Sequence, residues 1–247
     1  MRSILLLFSA SLFLSQPAAA QGINNLIQKA NQALQGNSGN KGGNNLTNSE
    51  IVSGLKEALK IGTQNASGKL NKPNGFFGNQ LIKILMPPEA KNIESTLRNL
   101  GFNSLCDKLI LSLNQAAEDA SGKAVPIFVN AITSMSITDA LGILKGGEHA
   151  ATDFLKLKTT SALTSAFRPV IQQSLGKVNA TRYWTDIFTT YNKLPITRKK
   201  VNTDLTAYVT ERALNGLFVT VGQEEANIRK NPAAQVTSLL QKVFGGR

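Results

Sequence analysis

The sequence predicts an all-α fold, and three observations lead to that expectation. Apolar residues recur at three- and four-residue spacing through almost every segment after Thr47. Helix punctuation, in the form of capping pairs, prolines at helix starts and glycines at helix ends, falls between those segments. No alternation of apolar and polar residues persists long enough outside them to make a strand. The expected architecture is a single compact multi-helix domain of about ten helices over residues 47–247. A leader and a tethered short helix precede it.

The leader is residues 1–20. Arg2 supplies a positive start, an apolar stretch follows from Ile4 to Leu14, and Pro17 precedes Ala18-Ala19-Ala20. This order is that of a cleavable signal peptide, with the cut between Ala20 and Gln21. The apolar stretch makes a helix of only about 16 Å, roughly half a bilayer core. A cleaved signal peptide implies a periplasmic or secreted chain. No cysteine stands at the cut, so no lipid anchor is expected there. No later stretch is long and apolar enough to span a membrane, so an integral membrane protein is not expected.

Residues 21–46 follow. Ile23, Leu26, Ile27, Ala30 and Leu34 share one helical face, and the Gly- and Asn-rich stretch from Gln35 to Leu46 reads as a flexible linker reaching about 20 Å.

Thr47 and Glu50 make a capping box that opens the main domain. Ile51, Leu55, Ala58, Leu59, Ala66 and Leu70 continue as its apolar stripe, and Pro73-Asn74-Gly75 ends it. Leu81 to Met86 is apolar and either extended or a helical turn. Pro87-Pro88 starts another helix, with Ala90, Ile93, Leu97 and Leu100 inward and Gly101 as its stop. Asn103 or Ser104 caps the next, whose stripe is Leu105, Leu109, Leu113, Ala116, Ala117 and Ala120. Lys123 to Ser134 follows, and Ser136 with Asp139 repeats the capping spacing before Ala140, Ile143 and Leu144. A short helix from Glu148 to Leu155 and a longer one from Thr159 to Leu175 come next, the latter kinked or split at Pro169. An aromatic helix carries Tyr183, Trp184, Ile187, Phe188 and Tyr191 and ends at Leu194-Pro195. Arg198-Lys199-Lys200 lies in a loop, a long helix spans Asp204 to Lys230, and Asn231 caps a final one.

Composition bounds the chemistry. The formal charge is +12, or +11 once Arg2 is removed. For an exported chain this favours anionic envelope lipid head groups, lipopolysaccharide or wall polymers over nucleic acid, which is not expected as a partner. One cysteine, Cys106, and one histidine, His149, exclude zinc sites of the ordinary kind, and no metal or cofactor is expected. Cys106 reads as a small buried hydrophobe. No nucleophile elbow, Walker loop or dinucleotide fingerprint is present. His149 beside Glu148 has the composition of a base or a ligand, but the spacing offers only a first helical turn. Glu118-Asp119 and Glu224-Glu225 point about 100° apart on a helix, so neither pair shares a proton by itself. Salt bridges with Arg98, Arg168, Arg212 or Arg229 are their simpler use; Glu225 and Arg229 have favourable i, i+4 spacing. No catalytic residue is assigned. The binding candidates are Tyr183, Trp184 and Tyr191 with the cations Arg168, Arg182, Lys199 and Lys200, although helical spacing also suits Trp184, Phe188 and Tyr191 to a core.

The segments EIVSGLKEALKIGTQNASGKL, ITDALGILKGGEHAATDFLK, SALTSAFRPVIQQSL and DLTAYVTERALNGLFVTVGQEEANIRKNP, closing with LLQKVFG, resemble the bacterial domain-of-unknown-function family 4197 over roughly Thr47 to Gly245. The resemblance implies an exported helical protein and carries no activity or site residues. Three functions compete: a non-enzymatic binder of an apolar or amphipathic ligand between helices, an interaction or assembly factor of the envelope, and a hydrolase using carboxylates such as Glu118, Asp139, Glu211 or Glu224.

Overall fold

The computed structural model describes residues 47–193, Lys200 and residues 203–231, leaving aside the side chains of Tyr183, Asp186, Ile187, Thr190 and Tyr191. The expected leader, the 23–34 helix with its linker, Leu194-Pro195, Arg198, Lys199 and the helix expected after Asn231 lie outside the described residues. The described residues are all-α, with eight α-helices and one 3-10 turn among them.

Helix α1 (Asn48–Leu70) opens on the expected capping box. Thr47 Oγ1 accepts from Glu50 N at 3.2 Å while the Glu50 carboxylate accepts from Thr47 N at 2.8 Å. An irregular segment then leads through a 3-10 turn (Pro88–Ala90) into α2 (Lys91–Asn99). Next come α3 (Asn103–Ser121), α4 (Ala124–Thr133) and α5 (Ile137–Lys145), the last with the expected Ser136–Asp139 capping box. The Ser136 hydroxyl and N–H hold the Asp139 carboxyl below the usual carboxylate range. Three elements complete the chain: α6 (Ala150–Lys177), α7 (Ala180–Asn192) and α8 (Leu205–Lys230).

The two helices expected between Glu148 and Leu175 are one. Helix α6 runs unbroken through Pro169. Its buried residues Ala151, Leu155, Thr159, Leu163, Phe167, Ile171 and Leu175 stand four apart. Each step of four overshoots a turn by about 40°, so the stripe winds about 240° around the helix from end to end. A helix buried on a winding stripe has no single apolar face, and α6 accordingly packs against α8, α3, α4, α7 and α5. Pro169 is exposed, so the carbonyl it leaves without an N–H partner is on the solvent side.

Two further expectations change. Leu100 and Leu105 are not inward; they are 67% and 49% exposed. Helix α3 has no side-chain cap from Asn103 or Ser104, because Phe102 occupies the cap position. The α2–α3 connection is instead closed by the backbone. Gly101 takes φ +89°, and Phe102 N donates to Leu97 O at 2.9 Å. That pattern ends α2 and starts α3 within three residues.

Helix α6 needs an external cap as well. Its N-cap residue, His149, makes no capping bond. Glu225 of α8 supplies one across the fold. Its Oε1 accepts from Ala151 N at 3.0 Å, and its Oε2 from Thr152 N at 2.8 Å and Thr152 Oγ1 at 2.7 Å. Arg229 pairs with the same carboxylate at 2.8 Å and donates to Ile143 O at 3.1 Å, near the end of α5. One buried ion pair therefore ties α5, α6 and α8 together. Removing the carboxylate strands two buried N–H groups and a guanidinium, so Glu225→Ala is expected to lose about 3 kcal/mol in urea unfolding. A loss under about 1 kcal/mol would contradict the role assigned to this pair.

Glycine matters where α8 meets the irregular segment. A Cβ on Gly216 would lie 2.5 Å from the Phe76 ring and 3.2 Å from Ile82 Cβ, so these two side chains rest directly on the α8 backbone there. Gly216→Ala is expected to destabilise by about 1–3 kcal/mol. Gly142→Ala in α5, where nothing lies within 4 Å, is the control and should stabilise by about 0.5–1 kcal/mol.

Candidate functional site

The irregular segment between α1 and α2 is pinned by side chains of α3 and α8. Asn114, fully buried, accepts from Ile84 N at 2.8 Å and donates to Ile84 O at 2.8 Å, as a neighbouring strand would. One turn on, Glu118 Oε1 accepts from Phe76 N at 3.0 Å and Phe77 N at 3.2 Å. From the other side, Tyr208 Oη donates to Leu85 O at 2.7 Å. Burial raises the Tyr208 phenol pKa, keeping the hydroxyl a donor. With Ile84 and Leu85 fixed at the backbone, Met86 turns inward and Leu85 stays half-exposed.

Met86 forms part of the wall of a cavity of about 450 Å³. Ile93 and Leu97 of α2 form another side, Leu105, Cys106 and Leu109 of α3 a third, and Val178, Ala180, Trp184 and Phe188, in and just before α7, the rest. Helix α2 has no fully buried residue and packs on α3 and the 3-10 turn, so its inner face borders the cavity more than the core. The Trp184 and Phe188 rings lie 4.3 Å apart, and Tyr208 stacks parallel to Trp184 at 6.5 Å. The polar lining side chains are Lys108, Ser112 and Gln115. The Ser112 hydroxyl already donates to Leu109 O at 2.7 Å, which leaves Lys108 and Gln115 to meet a polar group. The volume falls within the range of small-molecule sites.

The structure brings few of the expected binding residues together. Trp184, 1% exposed, lines the cavity. Arg168 is spent on Asp204 at 2.5 Å, where the pair helps to cap α8. Burial would raise the Asp204 pKa, but the Ala207 N–H and Arg168 outweigh it and hold the carboxyl low. Arg182 and Lys200 are exposed and do not line the cavity. Tyr183 and Tyr191, as side chains, and Lys199 lie outside the described residues. The walls from α2 and α3 were missed because Ile93, Leu97, Leu105 and Leu109 read as an ordinary core stripe. The signal that distinguishes them is their partial exposure, which periodicity does not carry.

Three of the four carboxylates proposed for catalysis serve the fold. Glu118 holds the Phe76–Phe77 backbone rather than an arginine, Asp139 caps α5, and Glu224 is bound by Lys69 and Asn65. Glu211 is exposed. Glu148 pairs with Lys230 at 2.6 Å, and that hydrogen bond and charge lower its pKa. His149 also borders a second groove of about 610 Å³, with Asp153, Lys156, Asn215 and Gln223 beside Phe218 and Val219. Among the described residues no three metal-binding side chains come together, and no single helix is long and apolar enough to cross a membrane.

A family model described as a protein of unknown function, DUF4197, matches residues 45–245. The chain belongs to the DUF4197 family. The match takes in every wall of the cavity, so this DUF4197 protein carries the cavity inside its family domain. No curated protein and no solved structure matches the chain.

Cys106 gives the cavity a chemical reporter. It is 1% exposed, and burial pushes its thiol pKa up. Its thiolate share at pH 8 is therefore below that of a free thiol. Maleimide labelling at that pH is expected to be slower than that of glutathione by about tenfold or more, and to recover in guanidinium. Labelling of the folded protein at the free-thiol rate would place Cys106 at the surface and contradict the geometry.

Proposed function

We propose that this protein is an exported bacterial envelope protein that binds, without transforming it, a molecule bearing an apolar chain, in the cavity between α2, α3 and α7. The carrying observation is the chemistry of the wall. A volume of about 450 Å³ faced by leucine, isoleucine, methionine, tryptophan and phenylalanine offers burial for a hydrocarbon and little for a sugar or a peptide backbone. A chain filling it would shed apolar surface worth about 25 cal/mol per Å². Lys108 at the wall suits an anionic head group, with Gln115 as a neutral donor beside it. Export rests on the basic start, the short apolar run and the small residues before Gln21.

Trp184 is the one tryptophan of the chain and lines the cavity, so its emission reports on occupancy directly. Palmitate brominated along the chain, delivered from cyclodextrin, is expected to quench Trp184 saturably. Leu109→Glu sets a charge in the wall and should weaken this binding by about tenfold or more with thermal unfolding still cooperative. Quenching that never saturates, or that Leu109→Glu leaves unchanged, would refute the reading.

A further inference from the structure

Of the nine large apolar side chains left exposed among the described residues, five belong to the segments that wall the cavity. Leu85 precedes the Met86 wall and Val178 precedes α7. Leu100, Phe102 and Leu105 sit at the turn from α2 to α3 and are 67%, 51% and 49% exposed. The other four, Leu81, Ile137, Leu157 and Val219, are dispersed over separate elements, as single exposed apolar residues ordinarily are. The backbone holds the corner in this state. The positive φ of Gly101 and the Phe102–Leu97 hydrogen bond fix the turn, so Leu100 and Phe102 are presented by a defined structure.

Charge at the same end selects the partner. Arg98 closes on both nearby carboxylates, Glu94 at 2.8 Å and Asp107 at 2.9 Å. Lys108, one turn after Leu105, and Lys177, beside Val178, have no carboxylate partner among the described residues. Exposed apolar side chains with unpaired lysines beside them match the boundary of an anionic bilayer, where the first enter the acyl region and the second meet head groups. The net charge of +11 on the chain from Gln21 onward adds long-range attraction to the same surface.

We infer that the α2–α3 corner, led by Leu100, Phe102 and Leu105, docks the protein on an anionic phospholipid surface with the cavity mouth against the lipid. The inference rests on the cavity's taking an apolar chain. Such a chain has little free concentration in water, and an apolar rim lets it pass between bilayer and cavity without being hydrated on the way. Leu105 belongs to both rim and wall and marks the path.

The test uses the chain from Gln21 onward, which keeps the whole family-matched stretch 45–245 and omits the apolar leader that would itself bind lipid. Co-flotation is measured with phosphatidylglycerol-containing vesicles and with phosphatidylcholine vesicles. The wild type should float with the first and much less with the second. Leu100→Asp with Phe102→Asp should reduce binding about tenfold or more, while Leu157→Asp, which changes an even more exposed leucine on α6, should leave it intact. No flotation of the wild type, equal binding by the double variant, or an equal loss in Leu157→Asp would each overturn the inference. Trp184 quenching by cyclodextrin-delivered bromopalmitate is run in parallel on the double variant. Quenching should persist there; its absence in the wild type, with vesicle binding still lost in the double variant, would remove the cavity ligand and leave the docking face standing.

Discussion

Helix α6 is packed by five other helices, and a helix enclosed that far cannot leave its first N–H groups to water. Its own preceding residue offers no cap, so the donors are met from outside by Glu225. The constraint reaches further than one helix end. A buried carboxylate needs a counter-charge, which Arg229 supplies one turn later, and the spare donor of Arg229 then fixes the end of α5. The α5–α6 turn is thus held against α8, and the winding stripe of α6 is set in register with the helices around it.

Helix α3 works differently on its two sides. Asn114 and Glu118, four apart, lock the irregular segment by hydrogen bonds to its backbone. This rigid connection sets Met86 and the entry to α2. On the other side, Leu105 and Leu109 face α2 across the cavity, which is where close packing stops. Asn114 and Glu118 are spent on the first side, and apolar side chains without full partners remain along the second.

Much of the fold was legible in the sequence because local rules and packing agree there. The Thr47–Glu50 and Ser136–Asp139 boxes, the α1 stripe, the Gly101 stop and the span of α8 all follow from spacing. Helix α6 was not legible as one element, since Pro169 argues for a break and a stripe of period four has no fixed face. The candidate site was only partly readable. Trp184 stood out by residue type, but Ile93, Leu97 and Leu105 look like core until the structure shows how little covers them. Glu118 and Glu225 drew attention as acids, yet long-range contacts give them backbone partners that no local pattern encodes.

The proposed binding role requires that the α2–α3–α7 cavity hold an apolar chain in the working protein. Native mass spectrometry of the protein released gently from its own cells tests this most directly. A fraction carrying a bound amphiphile is expected, one that solvent extraction identifies as acyl-chain-bearing and that Leu109→Glu lacks. A protein found wholly at its bare polypeptide mass, with no acyl-bearing species in the extract, would contradict it.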